Sequence, residues 1–274
     1  MRLVVEITEK EFRLLAEYIK ENYGIHLRKE KQTLVCGRLH NVLVQEGFDN
    51  FTDYYNFVIS DKSGLAAITL INKITTNHTF FMREADHFYF FRDKVLPFLA
   101  NTVKDKDLRI WCAACSSGEE SYTLAMLIDE FFGKEKMWWD SKILATDISE
   151  KVLNIAQSGL YATERIAPLP NHWKINYFNK FDLENSVLID RIKKEVIYRK
   201  FNLMDNVFPF RKKFHTIFCR NVMIYFDTNT KTELVNKFYE HIEYGGYLFI
   251  GHSESLNRET TKFKYIMPAI YRKE

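Results

Sequence analysis

Apolar positions in the first third of the chain recur at helical spacing. Phe12, Leu15, Ile19 and Tyr23 share one face of a helix predicted from Thr8, which forms a capping box with Glu11, to Gly24, which fits a C′ position. A second helical pattern begins near Glu30, carries Leu34, Val35, Leu39, Val42 and Leu43, and closes at Gly47. Asn50 caps a third segment running through Ile59, and Ser63 a fourth that reaches Ile74. Short helices with brief connections predict a small all-α domain over residues 1–75.

Beyond Thr75 the pattern changes. Residues 76–103 mix polar and aromatic side chains and read as a linker that contributes to a ligand site. Leu108 to Cys112, Lys142 to Asp147, Glu195 to Phe201, His215 to Cys219 and Gly246 to Gly251 each fit a short buried strand, and helical patterns alternate with them. That alternation predicts an α/β domain over residues 104–274 built on a mainly parallel, Rossmann-like sheet. One connection breaks the rhythm: Ser158 and Glu195 are far apart, where about two to six residues are usual. Pairing of Trp173–Phe178 with Ser186–Asp190 makes residues 159–194 or so an inserted antiparallel β subdomain, suited to contact with a substrate or partner.

Composition adds a few exclusions. A hydrophobic fraction of 46% with 27% charged residues suits a globular fold with a sizeable core. No apolar run approaches the roughly 18 residues of a membrane span, and the N-terminus lacks a signal-peptide pattern. A cytoplasmic protein without membrane insertion is therefore expected. A net charge of +3 is too small to point to nucleic acid. Four cysteines make no disulfide framework in 274 residues. A monomer is the simplest expectation.

Candidate chemistry collects where strands end. Between Cys112 and Glu119 every residue is small, so a backbone turn there can approach a ligand closely, and the following helix points its first amides at it. That helix opens with Glu119 and Glu120, which repel a pyrophosphate and favour a ligand with cationic or hydroxyl groups, such as S-adenosylmethionine. Asp147 ends the second strand, 29 residues after Gly118, where an acid can take both ribose hydroxyls. Asn202 follows the third strand, Arg220-Asn221-Val222 the fourth, and His252-Ser253-Glu254 the fifth. In the linker, Asn77 and Thr79 offer hydrogen bonds to a polar ligand, and Arg83 can fork onto a carboxylate. Arg28, Lys31 and Arg38 lie at spacings of three and seven, on nearly one side of the second helix, either as a solvated face or as a docking stripe for an acidic partner helix. Trp111-Cys-Ala-Ala-Cys115 also has the form of a redox motif, but the carboxylates that follow disfavour a thiolate. The histidines, His78 and His252 included, show no metal-ligand spacing, and no metal is expected.

These motifs, taken together, resemble the CheR family of chemotaxis-receptor glutamate methyltransferases over nearly the whole chain. Phe218-Cys-Arg-Asn-Val-Met-Ile-Tyr-Phe226 is the most specific match, joined by Thr76-Asn-x-Thr-x-Phe-x-Arg-Glu84, Ser117-Gly-Glu-Glu120 and Gly251-His-Ser-Glu254. The resemblance implies a class I methyltransferase sheet and an S-adenosylmethionine cofactor, with S-adenosylhomocysteine as product. It implies that Asn77, Thr79 and Arg83 line the methionine end and that Glu119 lies beside the amino-acid and sulfonium end. Asp147 would take the ribose hydroxyls, Asn202-Leu203 and Asn221-Val222 would flank adenine and ribose, and Arg83 with Tyr225 would hold the acceptor glutamate. The implied partner is the cytoplasmic helical region of chemotaxis receptors. Two positions depart from the family pattern: Ser121 stands where proline is common, and Cys115 where a smaller residue is. The hairpin around Asn179 to Asn185 lacks the glycine-rich turn of members that grip a receptor's C-terminal pentapeptide. The rival from a different class is a protein that binds S-adenosylmethionine and docks on receptors without transferring the methyl.

Overall fold

The computed structural model describes residues 5–274, which form two compact units. One runs to His78 and includes Tyr225–Thr230; the other comprises Thr79–Ile224 and Lys231–Glu274. No helix among the described residues is long and apolar enough to cross a membrane.

The first unit holds helices α1 (Glu9–Tyr23), α2 (Gln32–Glu46), α3 (Phe51–Ser60) and α4 (Leu65–Ile74). The capping box forms as its sequence requires: Thr8 Oγ1 accepts from Glu11 N, and Glu11 Oε2 accepts from Thr8 N at 2.9 Å. Glu11 Oε1 also accepts from Thr52 N at 2.9 Å and Thr52 Oγ1 at 3.0 Å, so one carboxylate ties α1 to the start of α3. Asn50 caps α3, accepting from Asp53 N at 2.8 Å. The start of α4 differs from expectation. Gly64 is its N-cap, and Asp61 does the capping: its Oδ1 accepts from Ser63 while its Oδ2 accepts from Ala66 N at 2.8 Å.

The basic stripe does not form. Arg28 and Lys31 precede α2, and Arg38 spends its guanidinium on the carbonyl ends of α4, donating to Ile74 O at 2.6 Å and Thr75 O at 3.4 Å. A cation completing a helix C-terminus is a structural clamp. Leu34, expected on the apolar face of α2, is 43% exposed.

The second unit begins with helix where a linker was expected: α5 (Ala85–Phe90), a π-helical segment (Phe91–Val95) and α6 (Leu96–Thr102) follow without a break. Phe88, Phe91, Val95, Leu96 and Leu99 are buried in the core of this unit. Pro97, in the first turn of α6, has no N–H to give the preceding turn, and the helix widens there.

Then come β1 (Ile110–Ala113), α7 (Glu119–Phe132), β2 (Ile143–Asp147), α8 (Glu150–Ser158), β3 (Leu160–Ala162), α9 (Thr163–Ile166), α10 (Asn171–Tyr177), β4 (Phe178–Lys180), β5 (Asn185–Leu188), α11 (Asp190–Lys193), β6 (Val196–Lys200), β7 (Phe214–Phe218), α12 (Thr228–His241), β8 (Ile242–Phe249), β9 (Lys264–Met267) and β10 (Ile270–Arg272). The main sheet has the order β6-β2-β1-β7-β8-β10-β9. From β6 to β8 it is parallel, and β10 and β9 extend it antiparallel. Later strands add on both sides of β1, so the chain reverses its direction of winding there. The carboxyl end of β1 is the switch point at which such sheets bind ligands.

Two local expectations need correction. Trp173–Tyr177 is helix, not strand; Trp173 and Tyr177, one helical turn apart, are both buried. The hairpin is instead β4 with β5, and β3 completes a second, antiparallel sheet of order β3-β5-β4. Asp182 closes the hairpin turn, its Oδ1 accepting from Glu184 N at 2.8 Å and Asn185 N at 2.7 Å. The final pair β9–β10 was not legible: each strand has only three or four residues.

Candidate active site

The turn after β1 is built on strained backbone. Ala114 and Ser116 have φ of 71° and 50°, and Gly118 has φ of 93°. The amides of Ala114 and Cys115 both donate to Thr146 O at 2.8 Å, and Ser116 N donates to Asp147 Oδ2 at 2.9 Å. The end of β2 thus holds the turn after β1 in place. A Cβ on Gly118 would lie 2.8 Å from both Ala156 Cβ and Tyr198 Oη, so glycine is required by space as well as by torsion. Ser121, in place of the family's proline, donates to Gly118 O at 2.9 Å and bonds Tyr198 Oη at the same distance.

Asp147 is half-buried at the carboxyl end of β2, its Oδ1 accepting from Ser149 N at 3.0 Å. Burial pushes its carboxyl above the usual range, against the lowering effect of the Ser149 and Ser116 amides.

The two carboxylates that open α7 have separate partners. Glu119 is fully buried; Ser117 Oγ donates to its Oε2 at 2.7 Å, and Arg165 Nη1 meets its Oε1 at 3.0 Å. Glu120 accepts from Cys112 Sγ at 2.9 Å and from Arg220 Nη1 at 2.7 Å. Of the two, Glu120 is spent inside the protein. Burial, reinforced by Glu120 and the neighbouring thiol, pushes Cys112 well above the ordinary thiol range, and Cys115 is raised chiefly by burial. Neither is a reactive thiolate.

Arg83 sits between two non-glycine residues in left-handed conformation, Met82 at φ 59° and Glu84 at φ 58°. Such backbone persists only where surroundings impose it. Here the clamp is Arg220, a buried guanidinium at the end of β7 that grips Arg83 O and donates to Glu84 Oε2 at 3.1 Å. Asn221 Nδ2 donates to Glu84 Oε1 at 3.0 Å, and His252 N to Glu84 Oε2 at 3.1 Å. Burial works against the Glu84 charge, but these hydrogen bonds and Arg220 hold its carboxyl below its ordinary range. Behind Asn221, buried Glu254 accepts from Asn221 N and Ile224 N at 3.0 Å and from Gly251 N at 2.5 Å. Glu84, Arg220 and Glu254 were given no role in the sequence. All three lie in the motifs quoted, but only their mutual contacts give them a role.

Thr79, Arg83, Glu119, Asp147, Asn202, Leu203, Asn221 and Val222 all belong to the second unit. Asn202 Oδ1 accepts from Met204 N at 3.0 Å just past β6, and Leu203 beside it is buried. Asn77 and Tyr225 belong to the first unit. There Tyr225 Oη accepts from Thr76 N at 3.0 Å, and Asn77 Nδ2 donates to Asn72 Oδ1 at 3.3 Å.

Spacing hid one histidine cluster. Ligand atoms of Glu84, His87 and His252 lie within 4.8 Å of one another. Within this cluster the Glu84 carboxylate already pairs with the Arg220 guanidinium.

A mostly parallel sheet with an acid at its switch point, and with an inserted antiparallel sheet, is a Rossmann-like architecture of the class that binds nucleotide-type ligands at the carboxyl ends of its strands. Comparison with known proteins narrows this. Residues 10–75 match the family model "CheR methyltransferase, all-alpha domain", and residues 77–271 match "CheR methyltransferase, SAM binding domain". The chain belongs to the CheR family of chemotaxis protein methyltransferases. It is 45% identical over 274 residues to a chemotaxis protein methyltransferase of Borreliella burgdorferi, covering 99% of this chain and 96% of that one. It is 32% identical to the chemotaxis protein methyltransferase of Escherichia coli, covering 98% and 94%. A solved glycopeptide N-methyltransferase, MtfA, complexed with S-adenosylmethionine is 16% identical over 58% of this chain and 53% of that one, with a TM-score of 0.33.

The residues present fit this cofactor. Asp147 stands half-buried at the end of β2 beside a turn of small residues, a place where an acid can accept from hydroxyls.

Proposed function

We propose that this protein transfers a methyl group from S-adenosylmethionine to glutamate side chains of methyl-accepting chemotaxis receptors, forming methyl esters in sensory adaptation. The observation that carries this reading is the fixing of Arg83. Strained residues flank it, and Arg220 holds its carbonyl. A guanidinium held by its backbone suits the recognition of a carboxylate.

The cofactor, when bound, supplies a methyl already activated on a sulfonium. The acceptor glutamate has an ordinary pKa of about 4.3 and is an anion at neutral pH, so no general base is required. The protein has to orient the carboxylate and remove its water without protonating it. Arg83 does both, and Tyr225 assists by hydrogen bonding. Asp147 takes the ribose hydroxyls, and Asn202, Leu203, Asn221 and Val222 flank adenine and ribose. Asn77, Thr79 and Glu119 take the methionine end. The partner is the cytoplasmic helical region of the receptors.

The test is transfer of labelled methyl from S-adenosylmethionine to a receptor cytoplasmic fragment, with release of the label by mild base as expected of an ester. Cofactor binding without transfer to any receptor fragment would leave the non-catalytic docking protein instead. A base-stable product would move the acceptor away from glutamate.

A further inference from the structure

The inserted subdomain reaches the cofactor turn at two points. Tyr161 of β3 donates its hydroxyl to Ser117 O at 2.7 Å, and Arg165 of α9 bridges Glu119 Oε1 at 3.0 Å and Thr79 O at 3.1 Å. Phe81 packs against Tyr161 and Phe178 at ring distances of 4.9 and 5.7 Å, joining the Thr79–Glu84 segment to the inserted subdomain from the apolar side. The burial of the ion pair is lopsided. The Glu119 side chain is 0% exposed, whereas that of Arg165 is 40% exposed, at the rim of the inserted subdomain. An anion without solvent stays ionised only if a cation or several donors meet it.

We infer that Arg165 is a positioning residue for the cofactor, a side chain of the inserted subdomain that keeps Glu119 charged and aimed at the cationic end of the ligand. This rests on the reading of Glu119 as a cofactor contact. Two other titratable groups feel the Glu119 charge, the Tyr161 phenol and the Cys115 thiol, and burial holds both in the neutral form. Neither replaces the guanidinium. Without Arg165 the Glu119 carboxyl takes up a proton more readily and loses its hold on a cation. Through Thr79 O the same guanidinium couples the inserted subdomain to the Thr79–Glu84 segment, so its position is felt at both ends of the site.

The experiment is calorimetric titration of the full chain with S-adenosylhomocysteine between pH 6 and 9, for the parent, Arg165→Met, Arg165→Lys, Glu119→Gln and the double variant Glu119→Gln/Arg165→Met. Arg165→Met is expected to weaken binding about tenfold at neutral pH, which corresponds to about 1.4 kcal/mol. Its affinity should recover as pH rises and Glu119 ionises again, while that of the parent stays flat through this effect. Arg165→Lys should restore most of the affinity and the flat profile, and it remains informative if the methionine variant fails to fold. The double variant should bind no worse than Glu119→Gln alone. Unchanged or tighter binding by Arg165→Met overturns the inference, as does an equal, pH-independent loss in the lysine and methionine variants. A parent that binds no S-adenosylhomocysteine overturns the cofactor reading itself, a separate result.

Discussion

Arg83 and Asp147 make different demands on their surroundings. In the proposed reaction Arg83 has to remain charged next to an incoming carboxylate; Arg220 holds its backbone carbonyl. Arg83→Ala should lower kcat by roughly 100-fold or more, the usual loss when a group that stabilises reacting charge is removed. The dissociation constant of S-adenosylhomocysteine should change far less. Equal transfer rates for variant and parent on a receptor fragment would remove the assignment. In the proposed site Asp147 has to be ionised to accept two hydroxyls, yet burial raises its pKa. For an acid whose folded pKa lies above its unfolded value, protonation favours the folded state, so acidification costs ligand before it costs fold. Affinity for S-adenosylhomocysteine should fall as pH drops through a window that opens above the ordinary carboxylate range. Asp147→Asn should bind weakly and without that pH response; a parent-like titration curve for the variant would contradict it. The place of Asp147 at a strand end was legible from its neighbours, whereas the partners of Arg220 were not. Its role depends on residues 136 and 137 positions away in the chain, Glu84 and Arg83.

At the scale of elements, the turn between β1 and α7 and the joint between α1 and α3 are two places where single residues decide geometry. Gly118→Ala puts a methyl 2.8 Å from Ala156 Cβ at a φ of +93°. Left-handed strain and overpacking together should cost about 2–4 kcal/mol. Urea unfolding measures this, and an unchanged midpoint would show that the turn relaxes. Glu11 gathers donors from Thr8 and Thr52 at once. Glu11→Ala should destabilise the first unit by about 2–4 kcal/mol through the amides it strands, visible as a lowered thermal transition of that unit. A capping box is read from four neighbouring residues, so the start of α1 was legible. The second bond pair, to Thr52, was not, because it joins two helices. Trp173–Tyr177 shows the opposite failure. Its aromatic run suits a strand by propensity, but placing Trp173 and Tyr177 together on the buried side of α10 takes helical spacing.

Over the whole molecule, buried histidines set the response to acid. Burial, with Arg220 and His252 adding repulsion, lowers His87 to about 3, and burial with Arg109 lowers His215 to about 4. A histidine whose folded pKa is depressed contributes stability that is intact above its unfolded value of about 6.5 and is lost as pH falls from there through the folded value. Stability should therefore decline from about pH 6 downward, and His87→Phe should flatten that decline in denaturant titrations at pH 5 to 7. An unaltered slope would mean that His87 is not charged on unfolding in that range. By itself the sequence determined the helices of the first unit, the alternation of strand and helix in the second, the acid at the end of β2 and the small residues of the turn. Each is written in neighbouring positions, where periodicity, capping and steric size act locally. Only the tertiary structure decided that Glu120 is consumed by Arg220, that Arg38 is a helix clamp, that the connector is core helix, and that Arg165 of the inserted subdomain meets Glu119. Those outcomes depend on which distant groups share a buried space, because a charge removed from water must find its partner wherever the fold brings one.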